Sequence, residues 1–127
     1  MTQTNHYCVP TALSILTDLP VDAVEKILKD VYLGDVEISG IYIGLALKFL
    51  SDNGYYWEPS LLEGQRLVMC HKLQHPDFQY LIEIKGHALI YKDNTLYDNS
   101  YPQGIDIQKY ERRAERIVRA YRITKNA

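Results

Sequence analysis

The feature that most constrains this chain is a change of hydrophobic period near Arg66. Before it, apolar residues recur at helical spacing; after it, they fall into short runs rich in β-branched and aromatic residues. Helices followed by strands, with no repeat or linker between them, predict an α+β architecture in one domain spanning 1–127. Three helices are expected. The first runs from Cys8 to Leu16, with Ala12, Leu13, Ile15 and Leu16 as its apolar face and Pro10 in its first turn, where a missing N–H costs nothing. The second opens after Pro20, places Val24, Ile27, Leu28 and Val31 on one face, and ends at "GDVEISG". Ser39 caps the third, "IYIGLALKFLSDNG", which stops at Gly54. The strand candidates are "RLVMC", "FQYLIEI", "GHALIYK", "NTLYDNS" and "RIVRAYRIT", with a short helix in "IDIQKYERRAE".

With 127 residues, 46% of them hydrophobic, the chain can bury a real core. No apolar run approaches the ~18 residues of a spanning helix, and the N-terminus lacks a signal-peptide pattern, so a cytoplasmic location with no membrane partner is expected. Residues 105–127 hold seven Lys/Arg against three Asp/Glu, a balance of +4; the rest holds seven against thirteen, or −6. This basic end and the eleven tyrosines invite comparison with nucleic-acid surfaces. A solvated face is the simpler expectation, and nucleic acid is not the expected partner.

Only two cysteines are present, too few for a disulfide framework, so both are expected as free thiols. Cys8 stands at a helix N-terminus, where unpaired N–H groups and the helix dipole favour thiolate. Position alone leaves packing and nucleophile both open. A metal site at Cys70, His71 and His75 would need a fourth ligand and a rigid frame, and neither metal nor other cofactor is expected.

A nucleophilic thiolate needs a base. His6 is too near Cys8 along the chain, and His71 and His75 lie in a polar, proline-ended connection. His87 begins a strand just after Gly86. If Asp93-Asn94 is a two-residue turn, Lys92 pairs with Thr95, Tyr91 with Leu96, Leu89 with Asp98 and His87 with Ser100. Asp98 then shares the face of His87 and can hold its Nδ1–H; a slip of one residue would substitute Asn99.

The order Cys on an N-terminal helix, His on a strand, Asp on the next strand resembles the papain-like cysteine peptidases. It is most similar to the branch containing the double-glycine leader peptidases of bacteriocin exporters and small phage- and plasmid-encoded relatives. The resemblance rests on Gln3 followed by "YCVPTAL", and on "GHALIY" with "LYDNSYP", and it covers nearly the whole chain. Val9 stands where that family usually has glycine. The resemblance implies a papain-like fold, helices packed on a C-terminal antiparallel sheet, and acyl-transfer chemistry on a peptide or protein substrate. It assigns Cys8 as nucleophile, His87 as base, Asp98 as orienting group and Gln3 as oxyanion donor beside the Cys8 N–H, with Asn5 as the alternative amide. A rival expectation is a catalytically silent binding module of the same fold, such as a phage protein that occupies a host factor.

Overall fold

The computed structural model describes residues 8–34, 43–73 and 77–125, with His71 and Leu73 as backbone only. Three helices precede a six-stranded antiparallel sheet, an α+β arrangement. Helix α1, Cys8–Thr17, buries Val9, Ala12, Leu13 and Leu16. It closes at Asp18, whose positive φ of 62° and N–H bond to the Ser14 carbonyl end the helix. Helix α2, Val21–Ile27, runs on into a π-helical segment, Leu28–Leu33, closed by the Gly34 N–H on the Lys29 carbonyl. Val24 and Leu28 are fully buried, but Val31 is 67% exposed. The wider π turn rotates Val31 off the face that regular 3.6-residue spacing predicts, and Tyr32 and Leu33 pack on the core instead. Helix α3, Ile43–Asp52, buries Ile43, Ala46, Leu47, Phe49 and Leu50; the expected cap at Ser39 lies outside the described residues.

Strand β1, Tyr55–Pro59, follows at once, and the sequence reading missed it. Four of its five residues are exposed, so it carries no apolar alternation, and its proline is tolerated because it lies at the sheet edge. The expected strand "RLVMC" is also corrected: Leu67–Met69 is a 3₁₀ turn leading into a short helix α4, Cys70–Leu73. Leu67 and Cys70 are both fully buried, and a three-residue spacing between inward positions fits a helical turn, not a strand.

The remaining strands are β2, Gln79–Ile84; β3, His87–Lys92; β4, Thr95–Tyr97; β5, Ile105–Asp106; and β6, Arg119–Lys125. Their order is β1-β6-β2-β3-β4-β5. The expected short helix reduces to β5 and a 3₁₀ turn at Ile107–Lys109.

Both faces of the sheet are covered. Leu81, Ala88, Ile90 and Ile123 pack against the three helices, whereas Tyr80, Ile82, Ile84, Leu89, Tyr91 and Leu96 pack under Leu62, Leu67, Cys70, Ile107, Tyr110 and Ile117. Central strands β2 and β3 are therefore buried on alternate residues of both kinds, which explains their nearly continuous apolar runs. The irregular second layer is tied down by arginines: Arg66 donates to the Ala114 carbonyl, Arg113 to that of Tyr110, Arg116 to that of Gly64, and Arg112 to that of Lys85. Much of the basic C-terminal region thus serves the fold itself. Among the described residues, no helix is long and apolar enough to cross a membrane.

Candidate active site

Helix α1 lies on β3, so the first residue of the helix meets the first residues of the strand. Leu13, with no exposed surface, anchors that packing. The Cys8 thiol, half-buried, is hydrogen-bonded to the His87 ring and receives the backbone N–H groups of Ala88 and Val9. His87 in turn lies against Asp98, with Nε2 2.9 Å from Oδ2. The imidazole bridges the sulfur and the carboxylate.

The hairpin between β3 and β4 explains why Asp98 arrives there. Asp93 and Asn94 both have positive φ, 48° and 64°, as a type I′ turn requires, and Lys92 pairs with Thr95, Tyr91 with Leu96 and Ile90 with Tyr97. Beyond Tyr97 the ladder stops. Asp98 and Tyr101 exchange backbone hydrogen bonds, so the expected pairing of His87 with Ser100 gives way to a tight loop. The parity of the hairpin still sets Asp98 on the His87 side. One expectation is corrected: the carboxylate engages Nε2, not Nδ1, which leaves Nδ1 as the nitrogen available to sulfur.

Asp98 is held by more than the histidine. Its Oδ1 accepts the N–H groups of Ser100 and Tyr101, each at 2.8 Å, and its Oδ2 accepts the Tyr110 hydroxyl at 2.7 Å as well as His87. A buried carboxylate with four donors is fixed in orientation and in charge state. Asn99 makes no such network; its Oδ1 is shielded from solvent and has no hydrogen-bond partner.

These contacts set the protonation of the site. Burial alone would raise the Asp98 pKa, but the bonds from His87, Tyr110, Tyr101 and Ser100 outweigh it and hold the carboxyl below its ordinary range. The hydrogen bond to Asp98 is the largest influence on His87, followed by that to Cys8; together they lift the imidazole to about 9. For Cys8, burial opposes ionisation, yet the bond to His87, the Ala88 N–H, the charge on His87 and the Val9 N–H prevail and bring the thiol below its ordinary value. The two shifts run toward each other, the imidazole up and the thiol down, and both favour the proton on His87 over the sulfur. Cys70 behaves oppositely: fully buried in apolar surroundings, its thiol is pushed up to about 12.

An open cleft of about 190 Å³ adjoins the sulfur, lined by Cys8, Val9, Ile43, Glu83, Gly86, His87 and Ala88. Gln3, Asn5, His6 and His75 lie outside the described residues, as does the side chain of His71. Two residues escaped the sequence reading. Tyr110 gave no signal, being one tyrosine among eleven in a segment read as solvated; Glu83 did give one, as the lone charge within the apolar run "YLIEI".

Comparison with protein-family models, with curated protein sequences and with solved structures returned no match.

Proposed function

We propose that this chain is a cysteine-dependent acyl-transfer enzyme of papain-like type, a peptidase that cleaves a peptide or isopeptide bond. The observation that carries the reading is His87, which joins the Cys8 thiol to the buried Asp98 carboxylate. That arrangement of nucleophile, base and orienting group satisfies the geometry of covalent acyl transfer.

The chemistry follows from the charges. The Cys8 thiolate attacks the scissile carbonyl carbon, forming a C–S bond as the carbonyl π electrons move to oxygen. The oxyanion is held by the Cys8 N–H and by a side-chain amide, which we assign to Gln3, with Asn5 as the alternative. His87 gives its proton to the departing amine, the C–N bond breaks, and a thioester remains on Cys8. Water, deprotonated by the now neutral imidazole, then releases the acid and restores the thiolate–imidazolium pair. Asp98 keeps the ring aligned throughout. The same steps with an amine in place of water give transfer, and with a glutamine side chain as donor give deamidation. Two unpaired thiols suit a reducing, cytoplasmic setting.

A second reading, a papain-like binding module, draws on Val9, which lines the cleft beside the sulfur where the resembled family usually has glycine. Intact-mass spectrometry after brief exposure to an activated ester or peptide thioester separates the two. An acyl adduct that maps to Cys8, turns over with time and vanishes in Cys8→Ala supports the enzyme; the absence of any adduct on the wild-type protein supports the module.

A further inference from the structure

Glu83 is the only carboxylate among the described residues that line the cleft beside Cys8. Register puts it there: Glu83 pairs directly with Ala88 across β2 and β3, and the Ala88 N–H is one of the donors to the Cys8 sulfur. Glu83 therefore stands one cross-strand pair from the strand position that contacts the nucleophile, and its side chain lines the same cleft. Around it, Val9, Ile43 and Ala88 supply an apolar wall.

Its bonding is incomplete. Oε1 is shielded from solvent yet has no hydrogen-bond partner; it forms only a loose ion pair with Nη1 of Arg119, 3.9 Å away on a side chain that is 55% exposed, while the Glu83 side chain itself is 29% exposed. That separation is too long for a hydrogen bond. A shielded carboxylate oxygen without a donor is costly, and a cation supplied from the cleft would offset that cost. The proton relay has no need of Glu83, because one nitrogen of His87 is engaged by Asp98 and the ring is also bonded to Cys8.

We infer that Glu83 is a specificity residue, which receives the ammonium or guanidinium of a lysine or arginine side chain in the acyl substrate while Val9, Ile43 and Ala88 pack against its methylene stem. A long basic side chain matches a pocket with an apolar wall and a carboxylate end, and a charge-assisted bond to the exposed part of that carboxylate replaces the loose pairing with Arg119. This inference rests on the reading of Cys8 as an acyl-accepting nucleophile.

The test uses blocked peptidyl chloromethyl ketones that alkylate Cys8 without any need for turnover. Pairs of probes differ only by lysine against norleucine at the first, second or third residue from the reactive carbon. Rates are normalised to iodoacetamide for the wild-type protein and for Glu83→Gln and Glu83→Lys. At one of the positions, the lysyl probe should react about tenfold or more faster than its norleucyl twin with the wild-type protein. The ratio should fall towards one in Glu83→Gln and below one in Glu83→Lys. A ratio near one at every position, or a preference for lysine that survives in Glu83→Gln, overturns the assignment while leaving Cys8 as nucleophile. Iodoacetamide labelling of Cys8 no faster than that of Cys70 would remove the nucleophile and the pocket's role together.

Discussion

The Tyr110 hydroxyl lies 2.7 Å from Oδ2 of Asp98, the same carboxylate oxygen that His87 engages from the other side at 2.9 Å. Burial and the Asp98 bond both push the phenol pKa upward, so Tyr110 stays protonated and acts as a donor. It competes with His87 for the charge on that oxygen. Tyr110→Phe should cost about 1–3 kcal/mol of stability, the range for a buried hydrogen bond to a charged partner. It should also move the alkaline limb of the activity profile upward, because an oxygen relieved of one donor binds the imidazolium more strongly. Urea denaturation and a pH–rate profile check the two parts, and an unmoved alkaline limb would reduce Tyr110 to a structural strut.

Replacement of Asp98 tests the orienting role. Asp98→Asn should lower the rate of Cys8 acylation by ~10²-fold or more, since the imidazole loses the anion that aligns it and stabilises its charged form. Asn99→Ala should stay within a few-fold of wild type. Asp98→Ala is a harsher change than spacing alone would suggest, because it strands the Tyr110 hydroxyl and the Ser100 and Tyr101 N–H groups as well as His87. Its denaturation midpoint should fall clearly, whereas an Asn99→Ala rate defect larger than that of Asp98→Asn would reverse the assignment.

The pH dependence of turnover carries a definite sign. A raised imidazole pKa means that the imidazolium is fully present at neutral pH and is lost as the pH climbs through about 9; a lowered thiol pKa means that the thiolate is lost as the pH falls. kcat/KM for an amide substrate should therefore be bell-shaped, with its alkaline limb near 9. Alkylation needs no proton donor and should not fall on that side. Parallel decline of both above the alkaline limb would point to unfolding rather than titration.

The sequence disclosed more of the site than of the fold's second layer, for physical reasons. Cys8, His87 and Asp98 were legible because each sits at a position with strong local grammar: a helix start, a strand start after glycine, and a hairpin whose Asp93-Asn94 turn fixes parity. The run Arg66 to Cys70 reads as a strand because a short apolar run has the same composition in a strand and in a turn of helix. Strand β1 was invisible because an exposed edge strand has no buried face to impose alternation. Tyr110 meets Asp98 only through tertiary packing, twelve positions further along a chain that passes through β5 and a 3₁₀ turn, which no periodicity records.

Gly104 offers a test of how β4 is held. Its φ is +94°, and a Cβ there would come within 2.7 Å of both Thr95 Cγ2 and Tyr97 Cε2. Gly104→Ala should destabilise the protein by more than about 1 kcal/mol through backbone strain and by displacing the strand that leads into Asp98. Thermal melting reads the first effect, and a matching loss of Cys8 acylation in the protein that remains folded reads the second. A neutral outcome in both would mean that the 101–105 loop can shift without consequence for the site.

An oxyanion donor of the kind proposed for Gln3 would act on the transition state and not on the resting thiol. Gln3→Ala should thus reduce turnover of an acyl substrate by ~10²-fold or more while barely altering alkylation. Equal loss of both reactivities would instead identify Gln3 as a support for the N-terminal segment, and loss of neither would pass the role to Asn5.

The most direct test of the central claim is the rate of iodoacetamide alkylation at Cys8 as a function of pH, followed by peptide mass spectrometry with Cys70 as the internal reference, in the wild-type protein and in His87→Ala. The thiolate–imidazolium pair predicts that wild-type Cys8 reacts rapidly at pH values where an ordinary thiol is protonated, that Cys70 stays inert, and that His87→Ala returns Cys8 to the titration of an unperturbed cysteine. A wild-type Cys8 that titrates like a free thiol, with the same curve in His87→Ala, would contradict the account.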